Sequence, residues 1–487
     1  MFAARLRLLF VAAVPNSSDA RLRVKYLPGS INLIKPWLAA AALAAISFSG
    51  PANYARAMDR ARFIELNKKG RDLAKKKDWK GLRAVLTEIG KELPAPTPNY
   101  LLRVASVEAH LGHNKEALQW LERYAAMGLT YDVASDDDLK PLLSEPAWKK
   151  IAAQMKDKSR RVTLAEQVCT LPIADLMPED ITFQPASGPN PSGDFFVSSI
   201  RHRSLFRLKL PKHDEKECDL KELPLEDPAR RWPVLAVTAG PRRNALWMTA
   251  AAMPGFTGFP KEDEGKSALM EVDAASGKVL RRLDLESEGP SVLGDMSVSP
   301  DGTVYVTDSR GGGVYRVQGK SENARLEAVA GGFLSPQTPV LARDGRRLLV
   351  PDYSVGIAVI DLAGNSKDKV TYLEHPESVA VTGLDGLLLS GDSLIGIQNG
   401  TDPERIVRFH LNRRQTRIVS AEVIEQSTER LGEPTHATTA GGWIYVIANV
   451  GWNKVDDHGQ LKEGQSFSAP VLLRFRDHRR GKPAAAK

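Results

Sequence analysis

The stretch MSVSPDGTVYVTDSRGGGVYRV (296–317) carries three short apolar runs, Met296–Val298, Val304–Thr307 and Val314–Val317. Pro300-Asp301-Gly302 separates the first two and Gly311–Gly313 the last two. Alternating β-branched and aromatic residues between Gly, Asp and Pro turns predict an antiparallel meander. The same unit recurs downstream as Val340–Ala342, Leu348–Val350 and Ile357–Asp361, then Leu387–Ser390, Leu394–Ile397 and Ile406–Leu411, then Ala437–Thr439, Ile444–Ile447 and Val471–Phe475. Upstream it is Ile181–Phe183, Phe195–Ser198 and Leu205–Leu208, then Val237–Ala239, Ala245–Thr249 and Ala268–Val272. Six units of about 40 to 55 residues, each of about four strands, have the period of propeller blades. A sandwich or a barrel does not require six-fold recurrence, and a closed ring removes the sheet edges that isolated units would expose. The fold expected is mainly β: a six-bladed β-propeller over residues 161–480. A strand near Val162–Leu171 is expected to complete the last blade.

Before the propeller, residues 58–160 read as helices. Leu66, Leu73, Leu82, Val85, Leu86 and Ile89 recur at helical spacing among Lys and Arg, and Pro94, Pro96 and Pro98 break the run. A second pair follows, from Tyr100 to Leu111 and from Ala117 to Ala126. Gly81 and Ala117 match across a repeat of about 36 residues, and Leu111–Leu118 (LGHNKEAL) resembles tetratricopeptide helix pairs. The expectation is a small N-terminal all-α helical-repeat domain that packs on the propeller or offers a surface to a protein partner. Asp136–Asp138 reads as a solvated charge cluster.

The 487-residue chain has a formal net charge of +8, and residues 1–57 contribute +6 of it, leaving 60 basic against 58 acidic residues. A nearly neutral body has no electrostatic footprint for a polyanion, which argues against a nucleic-acid partner. Trp37–Phe48 is an apolar run after Lys35, shorter than the roughly 20 residues of a membrane span. With Ser49-Gly50-Pro51 and Ala55-Arg56-Ala57 behind it, it reads as a signal peptide cleaved near Met58. Export to a periplasmic or extracellular compartment is expected, with no stable membrane span after cleavage. The unusually long stretch before Lys35 suggests a start codon placed too early, and residues 481–487 read as a disordered tail. In an oxidising compartment the two cysteines, Cys169 and Cys218, are expected to form one disulfide across the start and end of the first blade.

In a propeller the first strand of each blade lines the central channel. The residues leading into it are Glu179, Asp295, Gln337, Asp385 and Glu433, with no carboxylate near Ala236 in the second unit. Carboxylates converging on one axis repel unless a cation lies among them. Oxygen ligands of this type favour one divalent ion, Ca²⁺ or Mg²⁺ first, with other divalent ions as alternatives. Asn399, in Gln398-Asn399-Gly400, and His436 are further candidates for binding a substrate in the channel. Asp308 and Asp352 read as turn formers, and Phe195, Tyr305, Tyr353 and Tyr445 as core. No GxSxG, HExxH or strand–GxGxxG–helix pattern is present.

Pro178-Glu179, Asp301–Ser309 (DGTVYVTDS) and Leu384-Asp385-Gly386 resemble the family of senescence marker protein, gluconolactonase and luciferin-regenerating enzyme, over about residues 170–455. The resemblance implies a six-bladed propeller and hydrolysis of a lactone around an axial divalent metal. It implies Glu179 and Asp385 as metal ligands and Asp385 as the general base. Where that family has Asn before the third and fourth blades, this chain has Gly294 and Gln337. The function expected is metal-dependent hydrolysis of a lactone or small ester. The alternative is a non-catalytic propeller that binds a small molecule or a protein.

Overall fold

Six antiparallel sheets make up most of the described residues, and the chain runs through them from inner strand outward except at the outer edges of blades five and six. The structure is a computed structural model that describes Tyr54 and residues 57–477, apart from 187–192, 213–214, 243, 320–322 and 365–368. The expected signal segment lies almost wholly outside the described residues, as does the tail at 481–487. Blade one runs Ile181–Pro185, Gly193–Ser199, Ser204–Lys209 and Asp219–Glu222. Blades two, three and four start at Val234–Ala239, Leu293–Val298 and Val340–Leu341; blades five and six start at Leu384–Ser390 and Ala437–Ala440. The strand expected at 162–171 is split. Val162–Thr163 adds a fifth strand to blade five, whereas Glu166–Thr170 pairs with Val471–Arg476 as the outermost strand of blade six. The last blade is thus made from both ends of the propeller segment, which closes the ring.

The turn chemistry of the diagnostic stretch explains its register. Asp301 Oδ1 accepts from the Thr303 amide at 3.0 Å, and Gly302 takes the left-handed φ of +87° that this turn demands. Val304 and Val306 are buried and pack with Leu293 and Met296 against Trp247 of the preceding blade. Each blade buries its apolar face on the next in this way, so the core is distributed around the ring.

A disulfide joins Cys169 to Cys218, with 5.5 Å between Cα atoms. Cys169 lies in the outer strand of blade six and Cys218 immediately precedes the outer strand of blade one. The bridge therefore spans the seam between the last and first blades, not the start and end of blade one.

Among the described residues five α-helices precede the ring: α1 (Arg60–Lys75), α2 (Trp79–Glu92), α3 (Pro98–His110), α4 (Asn114–Ala126) and α5 (Trp148–Lys158). The Asp78 carboxylate caps α2 by accepting from Gly81 N at 2.9 Å. Thr97 caps α3, with Pro98 at its first position. Lys77 and Gly112, both at positive φ, turn the chain before α2 and α4. Counted from those turns, Leu82 matches Ala117, Leu86 matches Leu121 and Ile89 matches Tyr124, all buried. Gly81 therefore matches Glu116, not Ala117: the helices form two similar hairpins one residue out of the register expected.

Helices and ring belong to one compact unit. The buried Arg405 of blade five donates to the carbonyls of Met127 and Gly128 beyond the end of α4, at 3.2 and 3.3 Å. Thr130 N donates to Asp402 O, Gln426 Nε2 donates to Lys158 O and Arg160 O, and Arg60 Nη2 donates to Arg310 O. Asp402, Arg405 and Gln426 all lie at the end of blade five from which inner strands enter the ring, and Arg310 lies at the same end of blade three. The helical segment thus covers blades three to five on one face of the propeller.

Candidate functional site

A bulge in the inner strand recurs around the ring and positions the site. In blades two, three and five the ladder skips between Val234 and Val237, between Leu293 and Met296, and between Leu384 and Leu387. Two residues of the inner strand then oppose a single residue of the next strand, which turns both side chains toward one region. Backbone hydrogen bonds show the same arrangement in blades four and six, where Gln337 N donates to Pro351 O and Thr435 N to Ile447 O. Aligned on the bulge, the first positions are Glu179, Leu235, Gly294, Gln337, Asp385 and Thr435. The second positions are Asp180, Ala236, Asp295, Thr338, Gly386 and His436.

This register revises the ring of ligands expected from sequence. Glu179, Gln337 and Asp385 share the first position, Asp295 belongs to the second, and Glu433 lies two residues outside the bulge. Glu433 instead accepts from the backbone N of Asn453 at 2.6 Å in the long loop of blade six. The Gln337 side-chain nitrogen donates to Ser335 Oγ at 2.9 Å within its own loop. His436, proposed from sequence as a substrate contact, is buried among the carboxylates. Glu179, Asp385 and His436 each present a ligand atom, all within 4.8 Å of one another. Asp295 Oδ2 approaches His436 Nε2 to 3.1 Å.

The loops leading into the inner strands are clamped by residues ending the second strands. Asp308 Oδ1 accepts from Val292 N, Asp352 accepts from Leu334 N and Ser335 N, and Gln398 donates to Ala380 O and Thr382 O. Asp308 and Asp352 are thus more than formers of their own turns. Asp180 has a comparable task, accepting from Ile181 N at 2.7 Å and from Val237 N at 2.9 Å, which fastens blade one to blade two. Gly386 is required by close approach: a Cβ there would meet Thr435 O at 2.6 Å. At Gly294 a Cβ would meet nothing nearer than Ser309 Oγ at 3.7 Å.

Each member of the cluster is oriented from behind. His436 Nδ1 lies 2.8 Å from the Glu179 carbonyl oxygen, an atom that only accepts, so Nδ1 carries a proton and Nε2 faces the carboxylates. Trp452 Nε1 donates to Glu179 Oε2 at 2.5 Å. Asn399 Nδ2 donates to Asp385 Oδ2 at 2.6 Å and its Oδ1 accepts from Tyr353 Oη at 2.8 Å. Tyr353, read from sequence as core, is therefore part of the site. Thr338 Oγ1 lies 2.9 Å from Asp295 Oδ2.

Burial dominates the electrostatics. Desolvation, with the Asp385 charge beside it, raises the Glu179 pKa well above the carboxylate range. Desolvation raises Asp385 to about 7 and Asp180 to about 6, against the lowering effect of His436. Burial pushes the His436 pKa down, but Asp295 and Asp180 outweigh it and hold the value well above that of free imidazole. Four buried acids face a single buried imidazole.

The chain matches no protein-family profile and no curated protein. Among solved structures it is similar to the PQQ-bound aldose sugar dehydrogenase of Streptomyces coelicolor, at 13% identity and a TM-score of 0.41, over 64% of this chain and 97% of that one. It is similar to luciferin-regenerating enzyme at 12% identity and a TM-score of 0.40, over 64% and 94%. It is similar also to the calcium-binding protein regucalcin of Agrobacterium tumefaciens at 16% identity and a TM-score of 0.42, over 65% and 93%. No residue correspondence follows from similarity at this level.

Proposed function

We propose that this chain is a metal-dependent hydrolase of a lactone or small ester, working at the helix-covered end of the propeller channel. The observation that carries the reading is the convergence of buried Glu179, Asp385 and His436 with Asp295 beside them. The donor set fits a divalent cation: two carboxylates and an imidazole reach one point, and the surplus of buried acids calls for positive charge there. Glu179 and Asp385 would hold the ion, which when bound supplies polarisation of the substrate carbonyl.

The protein's own groups do the rest. Asp385 receives the proton of the attacking water and returns it to the departing ring oxygen as the acyl C–O bond breaks. Asn399, held by Tyr353, fixes the Asp385 carboxylate in one orientation. Trp452 does the same for Glu179. The helical segment over blades three to five, with the Trp452 loop on blade six, limits the water that reaches these groups. We take its two hairpins as tetratricopeptide-like units whose main task is packing on the ring. Export to an oxidising compartment is part of the same proposal and suits the Cys169–Cys218 bridge.

Purified full-length protein is assayed against γ- and δ-lactones with and without added divalent cations, beside Asp385→Asn. Cation-dependent turnover, lost by about 10²–10⁴ in the variant, is expected. Tight cation binding without turnover of any lactone or ester would favour the binding propeller. That second reading draws on Gly294, which offers no side chain, and on Gln337, whose nitrogen is engaged by Ser335 and whose oxygen carries no charge.

A further inference from the structure

We infer that the cation site of this propeller is a mixed nitrogen–oxygen site for a first-row transition ion, with His436 Nε2 as a ligand beside Glu179 and Asp385, and not an oxygen-only site for Ca²⁺ or Mg²⁺. The inference rests on the proposal that this cluster holds a metal, and it names the class of metal. Oxygen-only coordination requires side-chain oxygens from several blades. Blade three contributes Gly294 at the first bulge position, and blade four contributes Gln337, whose nitrogen is engaged within its own loop and which offers a neutral amide oxygen at most. Blade two contributes Leu235. The first bulge position thus offers carboxylates only from blades one and five.

The third donor comes from the second bulge position of blade six. His436 is 3% exposed. Its Nδ1–H is committed to the Glu179 carbonyl, so its tautomer is set by a main-chain acceptor, the arrangement that metal-bound histidines adopt. The opposite nitrogen, Nε2, is buried and has no hydrogen-bond partner. Asp295 Oδ2 lies 3.1 Å from it and pairs with the imidazolium when Nε2 is protonated. Without an ion, the Nε2 proton lies among these acids; a metal ion takes the place of that proton and uses the imidazole lone pair, with Glu179 and Asp385 in reach of the same point. The same residue that holds the backbone of Glu179 therefore also shares an ion with its side chain.

Imidazole favours Zn²⁺, Co²⁺ and Fe²⁺ over Ca²⁺ and Mg²⁺, which prefer oxygen throughout. The chelator-treated full-length chain is titrated calorimetrically with Zn²⁺, Co²⁺, Ca²⁺ and Mg²⁺. One Zn²⁺ is expected to bind at least about 100-fold more tightly than Ca²⁺. The Co²⁺ form is expected to show visible d–d absorption, which is independent of any turnover. His436→Asn lets the side-chain amide keep donating to Glu179 O while presenting oxygen to the ion. It should cost Zn²⁺ affinity about 10- to 100-fold and leave Ca²⁺ affinity unchanged or improved. If that variant fails to fold, the wild-type imidazole ¹⁵N resonances report directly, since Nε2 of His436 must shift on adding Zn²⁺. Binding of Ca²⁺ or Mg²⁺ as tight as Zn²⁺, or an Nε2 resonance unmoved by bound Zn²⁺, would overturn the inference. Zn²⁺ bound through His436 without hydrolysis of any lactone would remove the hydrolase reading and leave this one standing.

Discussion

Asn399 stands between Tyr353 and Asp385, accepting from the tyrosine hydroxyl at 2.8 Å and donating to the carboxylate at 2.6 Å. The three residues come from blades four and five, so the orientation of the proposed base depends on the packing of one blade on its neighbour. Tyr353→Phe removes the hydroxyl and frees the Asn399 amide to rotate. About 1–2 kcal/mol of orientation should be lost, seen as roughly a 10-fold fall in kcat with KM nearly unchanged. An equal loss in kcat and in fold stability would instead mark Tyr353 as merely structural.

The buried titrating groups of the site act on stability in one direction. Asp385, at about 7, and Asp180 and Asp352, each at about 6, have folded values above those of the unfolded chain, as does Glu179. Between about pH 4 and 7 the folded state therefore binds more protons than the unfolded state, and stability falls as pH rises. His436 is also raised, so its contribution is full below about 6.5 and is lost as pH climbs through its folded value. The signs agree. Metal-free protein should melt at a higher temperature at pH 5 than at pH 8, and a bound divalent cation should reduce the difference. Thermal melts at the two pH values, with chelator and with cation, make the comparison. A metal-free protein more stable at pH 8 would contradict the burial of these acids.

The Cys169–Cys218 bridge closes 49 residues of sequence across the ring seam. Its removal by Cys218→Ser should lower unfolding free energy by up to about 4 kcal/mol. Urea titration of the oxidised protein and of the variant measures this. A midpoint shared by the two would show that the seam is held by the strand pairing alone.

Two glycines of the inner strands should respond oppositely to a methyl group. Gly386→Ala drives its Cβ into Thr435 O and the backbone of His436, so a loss of about 1–3 kcal/mol and weaker metal binding are expected. Gly294→Ala meets only ordinary contact and should change stability by less than about 0.5 kcal/mol. Denaturation midpoints of both variants decide the matter, and equal effects would show that the bulge register is misplaced.

The six-fold recurrence was legible because each blade repeats apolar runs between Gly, Asp and Pro turns, as in 296–317. The site was harder to read, for a geometric reason. A bulge places two adjacent residues on the same region, so the period-two rule of a strand does not tell Gly294 from Asp295 or Glu179 from Asp180. Counting back from the paired core residues Met296, Leu387 and Ala437 would have put Thr435 and His436 in the ring and left Glu433 out. Tyr353 reads as core because a buried tyrosine looks apolar in sequence, and only its hydroxyl contact with Asn399 marks it otherwise. The helical register slipped by one residue because Gly81 and Ala117 are both small, whereas Lys77 gives no sign in sequence of the left-handed turn it shares with Gly112.

The pairing of Glu166–Thr170 with Val471–Arg476 sets an order for biosynthesis. The first of these strands leaves the ribosome some three hundred residues before its partner exists. Until the final hairpin is made, blade six is missing its middle and blade one has no neighbour on that side. The growing chain is an open arc with exposed strand edges, a state that invites capture by chaperones and pairing with other chains. Premature termination anywhere before Arg476 therefore yields no smaller version of this protein, since five blades without the sixth leave both ends of the arc unpaired.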